Sequence, residues 1–252
     1  MTTHWKGPLL GSSGLFKDMP ANSLSIQNAS VLYLDFLSQF DEDEITLTTI
    51  TSGTGDLIAD VANGVYRLEA TTANEGLGSV QFANADNASE GVAVPLAGRQ
   101  IAFEARVTCD DWSDCDWFIG LGEVDTTFLS LAGALLANGA DNHAGFHHLV
   151  ADAGSPDLSE AGTALANQAD VVQYVGSTGT VGNELVDSTY YRFGIRIEGV
   201  DRVRFYLDGS PISDWTSFST VLADGLVPTF AMIANGNAID FDIDYVLVAA
   251  TR

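Results

Sequence analysis

The sequence predicts an all-β protein, an antiparallel sandwich of two sheets, and three observations lead there. Several segments alternate apolar and polar residues with the period of two that a half-buried strand requires. No long stretch carries the i, i+3, i+4 apolar stripe of an amphipathic helix. The chain also holds 25 glycines, which punctuate the alternating segments. Stacking two antiparallel sheets is the economical way to bury one face of every strand.

Alternation is clearest in Tyr190 to Ile197, where Tyr191, Phe193, Ile195 and Ile197 face one way and Arg192, Gly194 and Arg196 the other. A turn at Glu198-Gly-Val-Asp201 leads into Val203, Phe205 and Leu207 on one face, with Arg202, Arg204, Tyr206 and Asp208 opposite. These two segments form an antiparallel hairpin. Asp208-Gly209 with Ser210-Pro211 supplies the next turn, because glycine tolerates positive φ and proline presets a bend. From Gln100 to Thr108, Ile101, Phe103, Ala105 and Val107 point inward while Glu104 and Arg106 point outward. Near the end, Ile239, Phe241, Ile243, Tyr245 and Leu247 share one face, with Asp240, Asp242 and Asp244, then Val246 and Val248, on the other. Weaker strand candidates are residues 30–36, 64–71, 77–82, 117–122, 169–174 and 227–233.

Residues 1–27 differ from the predicted sandwich body, residues 28–252. They contain Gly7-Pro8, Gly11-Ser-Ser-Gly14 and Met19-Pro20 without sustained alternation, which predicts an extended arm. Both lysines of the chain, Lys6 and Lys17, lie here; with Asp18 the arm sums to +1, leaving −25 for the body. Trp5, Leu9, Leu10, Leu15 and Phe16 are costly to leave in water, so the arm is expected to dock on its own body or on a neighbouring subunit.

Over its 252 residues the chain has 34 acidic against 10 basic side chains, a net charge of −24. With 46% hydrophobic and 17% charged residues it buries a core and is no disordered acidic tail. That charge repels phosphates and anionic headgroups, so neither nucleic acid nor a membrane surface is an expected partner. The sequence holds no apolar run of the roughly 20 residues a membrane span needs, and its opening lacks signal-peptide character; synthesis in the cytoplasm is expected. Cys109 and Cys115 are too few for a disulfide scaffold and are expected as reduced thiols, although they flank one short loop that a bond would close.

The loop Cys109-Asp-Asp-Trp-Ser-Asp-Cys-Asp116 offers four carboxylates to a hard cation such as calcium, or is a solvated acidic loop with Trp112 or Trp117 tucked into the sandwich. Asp41-Glu-Asp-Glu44 poses the same alternative between ion or acid chemistry and a solvated run. His143, His147 and His148 present three imidazoles, but adjacent histidines on a strand point to opposite faces, which works against a shared metal. Asp240, Asp242 and Asp244 repel one another about 7 Å apart unless cations answer them. Arg192, Arg196, Arg202 and Arg204 are the expected answer in a cross-strand ion-pair network, or else a basic stripe for an acidic glycan or subunit. No nucleophile elbow, phosphate loop or Cys-x-x-Cys pair occurs, and no cofactor is expected.

The segments Ile101-Ala-Phe-Glu-Ala-Arg-Val107, Asp116-Trp-Phe-Ile-Gly-Leu-Gly122, Tyr191 to Ile197, Val203-Arg-Phe-Tyr-Leu-Asp-Gly209 and Ile243-Asp-Tyr-Val-Leu-Val248 resemble, in that order, the concanavalin-like lectin/glucanase jelly roll. Glycosidases on that sandwich carry Glu-x-Asp-x-x-Glu on a strand, a spacing absent from this sequence, so the expectation is a protein that is not an enzyme. The opening His4-Trp-Lys-Gly-Pro8 before such a body is similar to virion proteins of tailed bacteriophages, among them capsid decoration, or cement, proteins. That resemblance implies a structural protein on the virion capsid surface, bound to the major capsid protein. It also implies a homo-oligomer, a trimer for preference, with Trp5, Lys6, Leu9, Leu10, Phe16 and Lys17 of the arm as the partner-binding residues. The alternative on the same fold is a carbohydrate-binding lectin-like module or host-glycan adhesin, with Trp112, Trp117, Tyr174 or Trp215 stacking on sugar rings.

Overall fold

A computed structural model describes residues 29–36, 45–49, 53–57, 64–72, 75–82, 97–123, 129–130, 134–135, 143–148, 157–161, 185–200, 202–212, 216–217 and 225–251. None of the described residues is helical. The strands in chain order are β1 (Ala29–Leu34), β2 (Thr46–Thr49), β3 (Thr54–Leu57), β4 (Tyr66–Ala70), β5 (Gly76–Gln81) and β6 (Gln100–Cys109). They continue with β7 (Cys115–Gly122), β8 (Leu129–Ser130), β9 (Ala134–Leu135), β10 (His143–His148), β11 (Asp157–Ala161) and β12 (Tyr191–Glu198). The last five are β13 (Arg202–Leu207), β14 (Ser210–Pro211), β15 (Thr216–Ser217), β16 (Val227–Ala234) and β17 (Ile239–Thr251).

A nine-stranded sheet runs β14-β13-β12-β6-β17-β4-β3, with β1 also on β17 and β15 also on β13. A six-stranded sheet runs β11-β10-β7-β16-β5-β2, and β8 and β9 pair separately. The predicted antiparallel two-sheet sandwich is the observed fold, and β6, β7, β12, β13, β16 and β17 lie where the alternation placed them. The arm, the run Asp41–Glu44 and the strand candidate at 169–174 lie outside the described residues.

One core joins the sheets. Phe103, Phe193, Phe205, Phe241 and Leu68 come from the larger sheet and Trp117, Phe146 and Phe230 from the smaller, all at most 2% exposed. Phe146 packs edge-on against Phe193 at 5.1 Å and Phe205 at 5.3 Å, while Phe230 meets Phe82 at 5.6 Å and Phe103 at 6.3 Å. Trp112 closes one end against Trp117, Phe193 and Phe241 at 5.3, 5.9 and 5.8 Å. Aromatic pairs at these separations add to what burial of their area already contributes.

Two expectations need correction. The alternation of β17 does not run unbroken: its register against β6 shifts between Ile243 and Tyr245. One residue, Asp244, is left over in a β-bulge, and the faces exchange beyond it. Val246, Val248 and Ala250 therefore join the core, while Leu247 and Ala249 fall in a separate cluster on the outer face. Ser210-Pro211 is likewise a strand, β14, and no part of a turn. Asp208 at φ 49° and Gly209 at φ 77° suffice to connect it to β13, since an Asp-Gly pair with both residues left-handed matches the twist of a two-residue hairpin.

Phe193 touches Trp112, Trp117 and Phe146 across the sandwich. Phe193→Ala is expected to lower unfolding stability in urea by about 3–5 kcal/mol, the usual range for emptying a buried aromatic site; a loss below about 1 kcal/mol contradicts this core.

Candidate functional site

With the core committed, chemistry is left to the outer faces and the loops. On the six-stranded sheet, register sets the outward residues. In β7 these are Asp116, Phe118, Gly120 and Gly122; opposite them on β10 come His147, Gly145 and His143, and on β16 Ile233, Ala231, Thr229 and Val227. Gln81 of β5 stands beside Thr229. The same register puts His148 on the other face beside Trp117, with ring centres 6.3 Å apart.

This face carries polar side chains that are nonetheless buried: Ser79, Gln81 and Thr229 are 0% exposed, His143 1%, Asp116 2% and His147 5%. Gln81 donates from Nε2 to the Thr229 hydroxyl at 3.2 Å and to the Glu123 carbonyl. The Thr229 hydroxyl in turn donates to the Val227 carbonyl at 3.0 Å. Phe118 lies flat on the sheet, because a Cβ at Gly145 would sit 2.5 Å from its ring. His143 meets that ring edge-on at 5.8 Å. β8 packs on β5, β7 and β16, with Leu129 fully buried.

The acidic loop and the cysteines are occupied otherwise. Asp111 Oδ1 accepts from the backbone N–H and hydroxyl of Ser113 and from the N–H of Asp114. Asp110 accepts from the Asp240 N–H, and Asp114 from the N–H and side-chain amide of Asn237. These carboxylates brace turns. Among the described residues no three His, Cys, Asp or Glu side chains converge on a point that would hold a metal ion. His143 and His147 share a face but stand four residues, about 13 Å, apart along one strand. Cys109 and Cys115 are free buried thiols with Sγ atoms 3.6 Å apart. The neighbouring Cys109 thiol and burial push Cys115 well above the usual thiol range.

The ion-pair network exists with different partners from those expected. Arg67 holds Asp242 in a two-point bridge at 2.6 and 2.9 Å and also pairs with Asp240. Arg106 holds Asp244 at 2.6 Å. Arg192 pairs instead with Asp208, and both Arg196 and Arg202 with Glu198. The reason is strand order: β17 lies between β6 and β4, with β6 separating it from the β12–β13 hairpin. On that outer face the Tyr245 hydroxyl donates to the buried Glu104 carboxylate at 2.7 Å, and burial raises Glu104 above its ordinary value.

Of the two readings of Trp112 and Trp117, the tuck into the sandwich holds and the sugar-stacking role does not: they are core residues, at 4% and 0% exposed; Tyr174 and Trp215 lie outside the described residues. Sequence reading missed Phe118, Gln81, Ser79 and Thr229. The available signal was the second face of Asp116-Trp-Phe-Ile-Gly-Leu-Gly122, where Phe118 shares its side with glycines alone beyond Asp116.

This architecture is an antiparallel two-sheet jelly roll of the concanavalin-like kind. By sequence the chain matches no protein-family model and no curated protein. Among solved structures it is similar to the metal-free carbohydrate recognition domain of Emp46p, at TM-score 0.57 and 8% identity over 85% of this chain and 94% of that one. It is also similar to a Bacteroides ovatus GH16 enzyme in complex with a mixed-linkage glucan product (TM-score 0.53, 15% identity, 85% and 98% covered). A third is the conserved carbohydrate esterase of the Shiga toxin-encoding bacteriophage phi24B (TM-score 0.51, 12% identity, 86% and 95% covered). At these identities the likeness is one of fold, and it carries nothing specific to capsid decoration. It does overturn the expectation that the protein is not an enzyme: the fold is shared with an endo-glucanase and an esterase, and the absent Glu-x-Asp-x-x-Glu spacing removes a single catalytic constellation.

Two outcomes follow. The folded protein should leave both thiols unreacted with a disulfide reagent and release two equivalents in guanidinium; rapid native reaction contradicts their burial. For Glu104, the folded chain holds its proton more tightly than the unfolded chain, so stability is lost as pH rises from about 4.5 toward the folded value. Glu104→Gln should flatten that decline in denaturation series between pH 4 and 7, and an unchanged slope contradicts it.

Proposed function

We propose that the protein recognises carbohydrate through the outer face of its six-stranded sheet. The observation that carries this reading is the polar set there: Ser79, Gln81, Asp116, His143, His147 and Thr229 are buried on the side of the sheet turned away from the core. Burying polar groups is costly compared with the aliphatic face that would serve packing alone. Saccharide recognition needs a ring for the sugar's C–H face and several hydrogen-bonding groups at fixed positions around it. Phe118, lying over Gly145 between His143 and His147, supplies the ring; Asp116, Gln81 and the imidazoles supply donors and acceptors for hydroxyls. Because β8 packs on this sheet, a sugar enters by displacing it. The lectin-like fold is consistent with the reading.

A glycan array followed by calorimetry on the best ligand tests it. Phe118→Ala and Asp116→Asn are each expected to weaken binding at least tenfold, about 1.4 kcal/mol, while Glu104→Gln on the opposite sheet leaves affinity unchanged. Absence of any glycan ligand, or equal affinity in all three variants, overturns the proposal.

A further inference from the structure

Between β6 and β7 the chain leaves the nine-stranded sheet for the six-stranded one, and a cysteine stands on each side of the crossing. Cys109 ends β6 and Cys115 begins β7. Cys109 lies beside Phe241 of β17, and Cys115 beside Ala234 of β16. Both are 0% exposed and belong to the core between the sheets, where their Sγ atoms stand 3.6 Å apart. A disulfide bond is about 2.05 Å long, so the sulfurs have about 1.5 Å left to close, a step that small rotations about the two Cα–Cβ bonds supply.

The approach of the two thiols is held by other contacts. Next to Cys109, the Asp110 N–H donates to the Asp240 carbonyl at 3.1 Å, and the Asp110 carboxylate accepts from the Asp240 N–H. The Cys109 carbonyl itself accepts from the Ser188 N–H at 2.7 Å. Next to Cys115, the Asp114 carbonyl accepts from the Asn235 N–H at 2.9 Å. Midway, the Trp112 N–H donates to Asp187 at 3.0 Å while its ring packs on Trp117. The entropy of bringing the thiols together is thus already spent in forming the fold.

We propose that Cys109 and Cys115 are a disulfide site: when the chain folds in the presence of a low-molecular-weight disulfide such as oxidised glutathione, they close into a bond that joins the two sheets. The finished core then keeps whichever redox state it was folded in. One cysteine thiolate attacks a sulfur of oxidised glutathione, releasing one glutathione thiolate and leaving a mixed disulfide. The second cysteine thiolate attacks the protein sulfur of that intermediate and releases the other glutathione. Both protein thiols are oxidised, one oxidised glutathione becomes two reduced ones, and the two thiol protons end on them. Exchange needs a thiolate open to solvent. The folded protein denies both conditions, since the pair is fully buried and the Cys109 contact with burial holds Cys115 well above the usual thiol range. The bond therefore forms while the chain is folding, and a chain folded in a reducing pool keeps two thiols as small apolar core groups. This inference is independent of carbohydrate binding.

Full-length chain oxidised by glutathione disulfide in guanidinium and returned to buffer tests whether the fold favours the bond. It should recover the near-ultraviolet tryptophan signal of the reduced protein, with a folding constant in urea at least tenfold larger. An equal or smaller constant, or no recovery of the signal, overturns the proposal. Cell-free synthesis with oxidised glutathione reads the site without refolding: mass spectrometry should find soluble chain lighter by the hydrogens of both thiols, with the Cys109 and Cys115 peptides linked. Free thiols, a glutathione adduct or a bond between chains in that product counts against it. Reduction of the folded, oxidised protein by reduced glutathione should run at least tenfold slower than in guanidinium; equal rates contradict a redox state held by the core.

Discussion

The structure depends on a single aromatic core shared by two sheets. Phe103, Phe193, Phe205 and Phe241 meet Trp117, Phe146 and Phe230 in the space between them, and that contact commits every second residue of each central strand. It fixes strand register, because a slip by one position would bring the outward set inside, among them Asp116, Glu104, Arg196, His143 and His147. The bulge at Asp244 renegotiates that commitment within β17, and it hands Leu247 and Ala249 to the outer face while bringing Tyr245 to Glu104.

The two outer faces consequently have different characters. The nine-stranded sheet gathers arginines and carboxylates into pairs around a small apolar centre, which in so acidic a chain keeps like charges from standing opposite one another unanswered. The six-stranded sheet has no comparable ion-pair ladder among its described residues. Beside the aliphatic Val227, Ala231 and Ile233 it presents hydroxyls, an amide, two imidazoles, one carboxylate and a phenyl ring over glycines. The acidic loop between β6 and β7 adds a brace: Asp110, Asp111 and Asp114 tie turn backbone together and position Trp112 against the end of the core.

Much of the fold was legible because β6, β12, β13 and the first half of β17 alternate cleanly, and alternation is all that a half-buried strand requires. The second half of β17 misled because both of its faces are apolar, so nothing in the pattern marks the extra residue. β10 escaped notice since His143-Ala-Gly-Phe-His-His148 carries histidines on both faces and reads as chemistry before it reads as a strand. The partners of Asp240, Asp242 and Asp244 were out of reach for a related reason: strand order within a sheet is a long-range property, and Arg67 is far from them in sequence. Trp112 and Trp117 admitted two readings by residue type, a sugar platform or a tuck into the sandwich, and the packing at the end of the core bears out the second.

The claim most exposed to test is that the outer face of the six-stranded sheet is where ligand binds. A crystal structure of the protein with a bound oligosaccharide decides it. The account predicts a sugar ring stacked on Phe118, with hydroxyls in hydrogen-bond reach of Asp116, Gln81 or His147. A saccharide seated on the nine-stranded sheet or at the acidic loop, with Phe118 still covered, would contradict it.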